Sequence, residues 1–237
     1  MRNVTNASVY QVREEFDRIA LLTERHGSLS DIYRNYLLRH VPSHSQYVLD
    51  VGCGTGEFTR RIASRAQNVV AIDLSSEMIR LAKSQSANYQ NIQYVLGDIM
   101  SDSLPAERYD CIVSLATLHH LPLGQALIKM KDALKPNGVL IIQDLVAAKG
   151  LVERVRSVLA YPVSGARRFW KTGRIRAPRE VREAWAEHGK GEVYLTLDEV
   201  REMCKQHLPD ARIRRHLLWR YTVVWSKREA TSNHTSS

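Results

Sequence analysis

Residues Val48 to Gly56 read VLDVGCGTG, and few stretches leave a chain so little choice of fold. An apolar run with one acid makes a strand. Glycines at 52, 54 and 56 then strip the backbone of side chains where a helical segment, EFTRRIASRA, begins. A strand that ends in Gly-x-Gly-x-Gly and turns into a helix presents bare N–H groups and a positive helix end to a ligand. A bulkier residue at Gly52 or Gly54 is therefore expected to fill the ligand's place. A dinucleotide fingerprint spaces its glycines GxGxxG to seat a pyrophosphate. Here the third glycine comes one residue early, and Asp50 stands two residues before the first. A carboxylate there suits a ligand that carries an ammonium, directly or through water, and repels a pyrophosphate.

The same punctuation continues downstream. Strands are expected at 47–51, 69–73, 92–96, 109–115 and 138–144, alternating with helical patterns in EFTRRIASRA, SSEMIRLAKSQSAN and LGQALIKMKDALK. Such alternation builds βαβ units and a parallel sheet. Ser75 is positioned to cap the second helix and Asn137-Gly138 to close the third. Two helical segments, Val9–Glu24 and Leu29–His40, precede the first strand. After Gln143 the alternation breaks for some fifty residues. Leu151, Val152, Val155, Val158 and Leu159 mark one amphipathic helix there, and Pro178 opens another with Val181, Trp185 and His188 on one side. A helix capped by Thr196 and two closing strands within DARIRRHLLWRYTVVWS follow.

These limits give one domain over 1–228: N-terminal helices at 9–40, a core at 47–144, a cap insertion at about 146–192, a helix and strand pair at 196–227, and a frayed polar tail at 229–237. A chain of 237 residues with 44% hydrophobic and 25% charged residues can bury one sizeable core. Its three cysteines, Cys53, Cys111 and Cys204, are far apart and fall in no metal-binding spacing, so neither a disulfide framework nor a zinc site is indicated. No apolar leader and no apolar run near 18 residues is present, so a cytoplasmic protein with no membrane segment is expected. Lys and Arg exceed Asp and Glu by 34 − 25 = 9, which makes anionic partners worth weighing. Nothing in the pattern specifies an oligomer.

Two further acids stand at strand ends. Asp73 closes the second strand, seventeen residues after Gly56, where a carboxylate can accept both hydroxyls of a ribose. Asp98, in LGDI after the third strand, is near enough to accept from an adenine amino group, with Ile99 and Met78 available to sandwich the ring. Open α/β sheets collect their ligands along that edge.

The ordered set VLDVGCGTG, VVAIDLS, GDI and YDCIVSLATLHHL followed by LKPNGVLII resembles the class I S-adenosylmethionine-dependent methyltransferases. The resemblance spans 47–144 and, more loosely, the last two strands. It implies a Rossmann-like α/β fold: a seven-stranded, mostly parallel sheet with helices on both faces and an antiparallel last strand, here with a helical cap. It also implies S-adenosyl-L-methionine as cofactor, with Gly52, Gly54 and Gly56 around the methionine moiety, Asp73 on the ribose, Asp98 and Ile99 at adenine, and Leu115 near the sulfonium.

Methyl transfer from a sulfonium is an in-line displacement for which alignment in a dry site does most of the work, so no metal is called for. A base is needed only where the acceptor arrives protonated. His119 and His120 follow the fourth strand, and Asp144 ends the fifth. A histidine oriented by a carboxylate is one reading, with His120 ahead of His119; packing of the LHHL loop over the cofactor is the other. The cap carries Arg167, Arg168, Lys171, Arg174, Arg176, Arg179 and Arg182 against Glu180, with Phe169, Trp170 and Trp185 nearby. That run is either a solvated helix face over an apolar lid or a grip for an acidic small molecule or RNA. Tyr10, Phe16 and Tyr33 in the first helices either close the pocket's other side or serve as plain packing. The expected activity is methylation of an oxygen or nitrogen of a small organic acceptor. An RNA methyltransferase is the rival, and it is disfavoured because SLATLHH stands where base methylators of the family carry NPPY- or DPPF-like elements. A cofactor-binding protein without turnover is the other alternative.

Overall fold

Parallel strands covered on both faces need side chains that are apolar in both directions, and the central strands of this chain supply them. Val48, Leu49 and Val51, Cys111, Ile112 and Val113, and Leu140, Ile141 and Ile142 are all buried. The computed structural model describes residues 6–26, 33–147, 158, 162–166, 168–170, 172, 173 and 175–229. In chain order the elements are α1 (Asn6–His26), α2 (Arg34–Leu38), β1 (Ser45–Val51), α3 (Glu57–Ile62), β2 (Ala66–Asp73), α4 (Ser76–Gln85), β3 (Ile92–Leu96), β4 (Tyr109–Leu115), a 3₁₀ turn (Leu118–His120), α5 (Leu123–Ala133), β5 (Leu134–Leu145), α6 (Arg179–Lys190), α7 (Leu197–His207), β6 (Arg212–Arg215) and β7 (Arg220–Ser226).

The seven strands form one sheet in the order β3-β2-β1-β4-β5-β7-β6. β1 to β5 run parallel, and β7 lies antiparallel between β5 and β6, as the resemblance implies. Strand order reverses between β1 and β4, so the connections leaving these two strands diverge and open a crevice at their carboxyl ends. The alternation along β1 divides the core. Leu49 and Val51 pack with Leu127 and Met130 of α5 and Val200 and Cys204 of α7. Val48 packs on the other face with Leu37 of α2 and Phe58 and Ile62 of α3.

α1 does not touch that core. Its Ile19, Ala20 and Leu22 pack on Met78 and Leu81 of α4 and Ala184 of α6. A polar joint adds to this contact: Ser75 caps α4 by accepting from Met78 N (3.0 Å), while its hydroxyl donates to Asp17 of α1 (2.5 Å). No helix among the described residues is long and apolar enough to cross a membrane.

The sequence reading and the structure part at several places. Of the helix expected at Leu29–His40, α2 occupies Arg34–Leu38, and 29–32 lie outside the described residues. Asn137-Gly138 does not close α5, which stops at Ala133. The pairing with β4 jumps from Tyr109–Leu134 to Cys111–Val139, and Asn137, at φ +62°, sends its N–H to Lys227 O (2.8 Å). The Asn-Gly pair is thus a bulge inside β5 rather than a helix stop. Of the helix expected around Leu151–Leu159 only Val158 is described, and 230–237 of the tail also lie outside the described residues.

The two helix caps make a testable pair. Ser75→Ala removes a buried cap and the partner of Asp17, so it should destabilise the protein by about 2 kcal/mol. Thr196→Ala removes an exposed capping box closed with Glu199 and should cost about 1 kcal/mol. Urea midpoints at constant m-value read both.

Candidate functional site

The loop leaving β1 is stitched to the end of β2. Gly52 and Cys53 donate their N–H groups to Ile72 O (2.8 and 3.1 Å), and Gly54 N donates to Asp73 Oδ2 (2.7 Å). Gly52, Gly54 and Gly56 all take positive φ (72°, 53° and 72°), which L side chains rarely adopt. They are glycines for different steric reasons. A Cβ on Gly52 would sit 2.0 Å from Thr117 Oγ1, and one on Gly56 would sit 2.3 Å from the Tyr94 hydroxyl. A Cβ on Gly54 meets nothing within 4 Å. Open space therefore lies over Gly54. At Gly52 the expectation is corrected, because the space is taken by the loop after β4.

The cleft, about 280 Å³, is close to the lower end of the range for small-molecule sites. Asp50, Gly52, Gly54, Asp73, Met78, Asp98, Ile99, Leu115 and His120 all line it; Gly56, His119 and Asp144 do not. The three acids differ in environment. Asp50 is buried and accepts from Thr59 Oγ1 (2.6 Å). Burial, with help from the Asp73 charge, raises its carboxyl to about 7 despite the Thr59 hydrogen bond and the nearby Arg34 guanidinium. Burial also raises Asp73, against the N–H groups of Ser75 (2.9 Å) and Gly54 that favour its charged form. Asp98 accepts from Met100 N (2.8 Å), and its own N–H donates to Asp102. Cys53 also lines the cleft, where burial pushes its thiol up and keeps it a poor nucleophile.

Beyond Leu115 the 3₁₀ turn carries two histidines into different company. His119 faces Asp144: its N–H donates to Oδ2 (3.0 Å), and its Nδ1 lies 2.6 Å from Oδ1. His120 faces the cleft, with its Nδ1 3.3 Å from Glu192 Oε2. The carboxylate expected to orient the cleft-facing histidine thus comes from Glu192, at the end of the segment after β5. Asp144 orients its neighbour.

On the far side, Val12, Phe16, Ile19 and Thr23 of α1 line the cleft, with Trp185 of α6 at its rim. Phe16 contacts His120 and His188 edge-on, at centroid distances of 5.4 and 4.9 Å. Of the other aromatics expected here, Tyr10 is exposed and Tyr33 packs on His216 away from the cleft. Among the described basic cap residues, Arg168, Arg176, Arg179 and Arg182, none lines the cleft. Arg179 pairs with Glu183 on an exposed helix face (2.6 Å), and Trp170 is 88% exposed. Arg167, Lys171 and Arg174 lie outside the described residues.

Sequence reasoning missed Arg34 and Glu57, which pair at the cleft wall, as well as Thr59, Thr117, Glu15 and Glu192. Thr59 had a signal: it falls on the first helix after the glycines, facing back to Asp50. The others come from remote segments with no pattern to mark them.

Residues 48–138 match the family model described as Methyltransferase domain. Over 189 residues the chain is 33% identical to an uncharacterized methyltransferase of Mycobacterium bovis, a match covering 78% of this chain and 89% of the relative. It is 32% identical over 119 residues to a ubiquinone biosynthesis O-methyltransferase of Coxiella burnetii, covering 49% of this chain and 51% of that protein. Among solved structures, the N-methyltransferase NodS of Bradyrhizobium japonicum in complex with S-adenosyl-L-homocysteine is similar with a TM-score of 0.57 at 18% identity, covering 90% of this chain and 100% of that one. The structural likeness speaks for the fold alone. The mycobacterial relative, a third identical across most of both chains, speaks for descent: this chain belongs to the class I S-adenosylmethionine-dependent methyltransferases, with S-adenosylmethionine as its cofactor.

Proposed function

We propose that the protein methylates an oxygen or nitrogen of a small organic acceptor, held between the N-terminal helices and the cap segment of about 146–192, all within one domain. The observation that carries this reading is the composition of one cleft: three acids from successive strand ends on one side, and His120 with Phe16 and Trp185 on the other.

The residues fit the cofactor. Gly54 leaves open space beside a backbone held by Asp73. Asp50 offers its charge to an ammonium, and Asp73 keeps lone pairs for ribose hydroxyls beyond those that accept from Gly54 and Ser75. Asp98 is assigned to the adenine amino group, the buried Ile99 and Met78 to the faces of the ring, and Leu115 to the sulfur end. When bound, S-adenosylmethionine supplies a methyl group made electrophilic by its sulfonium. Phe16, Ile19 and Trp185 exclude water from the acceptor's side. His120 receives the acceptor's O–H or N–H proton, and His119, fixed by Asp144, holds the 3₁₀ turn in place behind it. The basic cap helix is assigned to solvent, since its described arginines lie off the cleft.

Incubating the protein with S-adenosylmethionine and a panel of phenols, carboxylic acids, amines and bulk tRNA, and following S-adenosylhomocysteine release, tests the acceptor class. Turnover confined to tRNA would overturn it. With an active acceptor in hand, His120→Gln should lower kcat about 10²- to 10⁴-fold and leave S-adenosylhomocysteine affinity within a few-fold.

Asp50 supplies a second prediction. Its folded-state carboxyl lies above the unfolded value, so the folded protein keeps a proton that the unfolded chain has released. Asp50 therefore lowers ligand-free stability progressively from about pH 4 to pH 7 and no further above that. Asp50→Asn should stabilise the ligand-free protein at pH 8 and have little effect at pH 4. Binding an ammonium demands the ionised form, so wild-type affinity for S-adenosylhomocysteine should fall, with proton release on binding, as pH drops from 8 to 5.5. Asp50→Asn should flatten that dependence and weaken binding at pH 8 by about 10- to 100-fold. Calorimetry in two buffers of different ionisation enthalpy measures both.

A further inference from the structure

Beside the cleft lies a histidine cluster whose third member, His188, has no part in the methyl transfer proposed above. His119 and His120 on the 3₁₀ turn and His188 on α6 each bring one ring nitrogen into a group whose members all lie within 4.8 Å of one another. The first two are neighbours in sequence; the third arrives from 68 residues away. All three side chains are nearly buried, at 6%, 6% and 4% exposure.

Each imidazole also has a carboxylate on its Nδ1 side. His119 has Asp144 at 2.6 Å, His120 has Glu192 at 3.3 Å, and His188 has Glu15 at 2.8 Å. Those carboxylates come from β5, the segment before α7, and α1, so nothing local in sequence explains the repetition. Metal-binding histidines characteristically give their second nitrogen to a carboxylate, which fixes ring orientation and raises ligand basicity. Three imidazoles inside a ring of three carboxylates also make a field that favours a divalent cation.

We infer that His119, His120 and His188 form a binding site for one divalent transition-metal ion of the zinc class, at the acceptor end of the cleft. Imidazole suits zinc, copper, iron and nickel, and it does not suit magnesium or calcium. Metal–nitrogen bonds of about 2.0–2.1 Å in tetrahedral geometry put ligand nitrogens about 3.3–3.4 Å apart. The observed group has to contract by about 1.4 Å at its widest, within reach of side-chain rotation. Three protein ligands leave a fourth position for water or an acceptor atom. Because His120 is the member that lines the cleft, the ion stands beside the acceptor. In the loaded protein His120 serves as a ligand, and an acceptor oxygen bound to the ion releases its proton to solvent water more readily before it attacks the methyl group; in the ion-free protein the imidazole itself is the base. The site also ties α6 to the 3₁₀ turn, closing the cap over the core.

The test uses the full chain, free of any affinity tag and stripped with a chelator. Zn²⁺ is titrated by calorimetry, and Co²⁺ is followed by its visible absorption. The expected result is one equivalent of Zn²⁺ bound, a Co²⁺ spectrum of nitrogen-ligated tetrahedral or five-coordinate type, and a Zn²⁺-dependent rise in Tm. His188→Ala should weaken Zn²⁺ at least about 100-fold, and Glu15→Gln, which leaves every ligand in place, about 10- to 100-fold. His44→Ala, at an exposed site, should change nothing. S-adenosylhomocysteine affinity, read in parallel, reports folding and the cofactor site separately, since neither His188 nor Glu15 lines the cleft. Should His188→Ala fail to fold, Glu15→Gln carries the test alone. Absence of stoichiometric Zn²⁺ binding by the wild type, or affinity unaltered in the folded variants, overturns the inference and leaves the cluster a hydrogen-bonded clasp between cap and core.

Discussion

The site depends on one short splice. β1 ends, and within three residues its backbone has donated to Ile72 O twice and to the Asp73 carboxylate once. Those bonds force the chain into left-handed conformations at Gly52 and Gly54 and aim the free side of the loop into the crevice where the strand order reverses. The contact of Gly52 with Thr117 closes the same splice from β4. Both neighbours of the loop are strand ends of a parallel sheet, so this side of the cleft is anchored to the core.

That arrangement has an electrostatic consequence. Two carboxylates, Asp50 and Asp73, are held close together in a poorly solvated wall, and both are raised by it. Burying an acid without a full counter-charge is unfavourable, and here the Thr59 hydroxyl, the Arg34 guanidinium and the Ser75 and Gly54 amides compensate only in part. A site with acid to spare is primed for a cation, and the cofactor of this family carries an ammonium and a sulfonium. On the proposed placement of the ammonium at Asp50, the cost of burying that carboxylate and the affinity for the cofactor have one origin.

How much of this could be read from the sequence follows from how far each signal travels along the chain. The glycine loop, the acids at strand ends and the strands themselves are encoded within windows of five to ten residues, and the parallel core, β1 to β5, was legible for that reason. The LHHL turn was legible as a position but not as a partnership: that Asp144 takes His119 while Glu192 takes His120 depends on how the segment after β5 returns to the sheet. Asn137-Gly138 misled because the pair fits both a helix stop and a bulge, and only the Lys227 contact from β7 decides between them. His188 was legible as a position on the side of its helix that carries Val181 and Trp185, but its pairing with Glu15 was not, since Glu15 on its own helix looks like one more solvated acid.

The division between what was legible and what was not is also a division of labour. The half of the cleft assigned to the cofactor is built from contiguous strand–loop–helix units, which any chain with this sheet must repeat to keep the crevice open. The half assigned to the acceptor is assembled from α1 and from α6 with the residues just after it, which meet through side chains: Phe16 against His188, and Glu15 against His188. These residues lie outside the sheet, though Ile19, Leu22 and Ala184 share a buried cluster with Met78 and Leu81 of α4. The cluster of histidines stands where the two halves join. His119 and His120 sit on the 3₁₀ turn that follows β4, and His188 sits on α6. Whatever bridges them therefore couples α6 to the 3₁₀ turn beside the cleft.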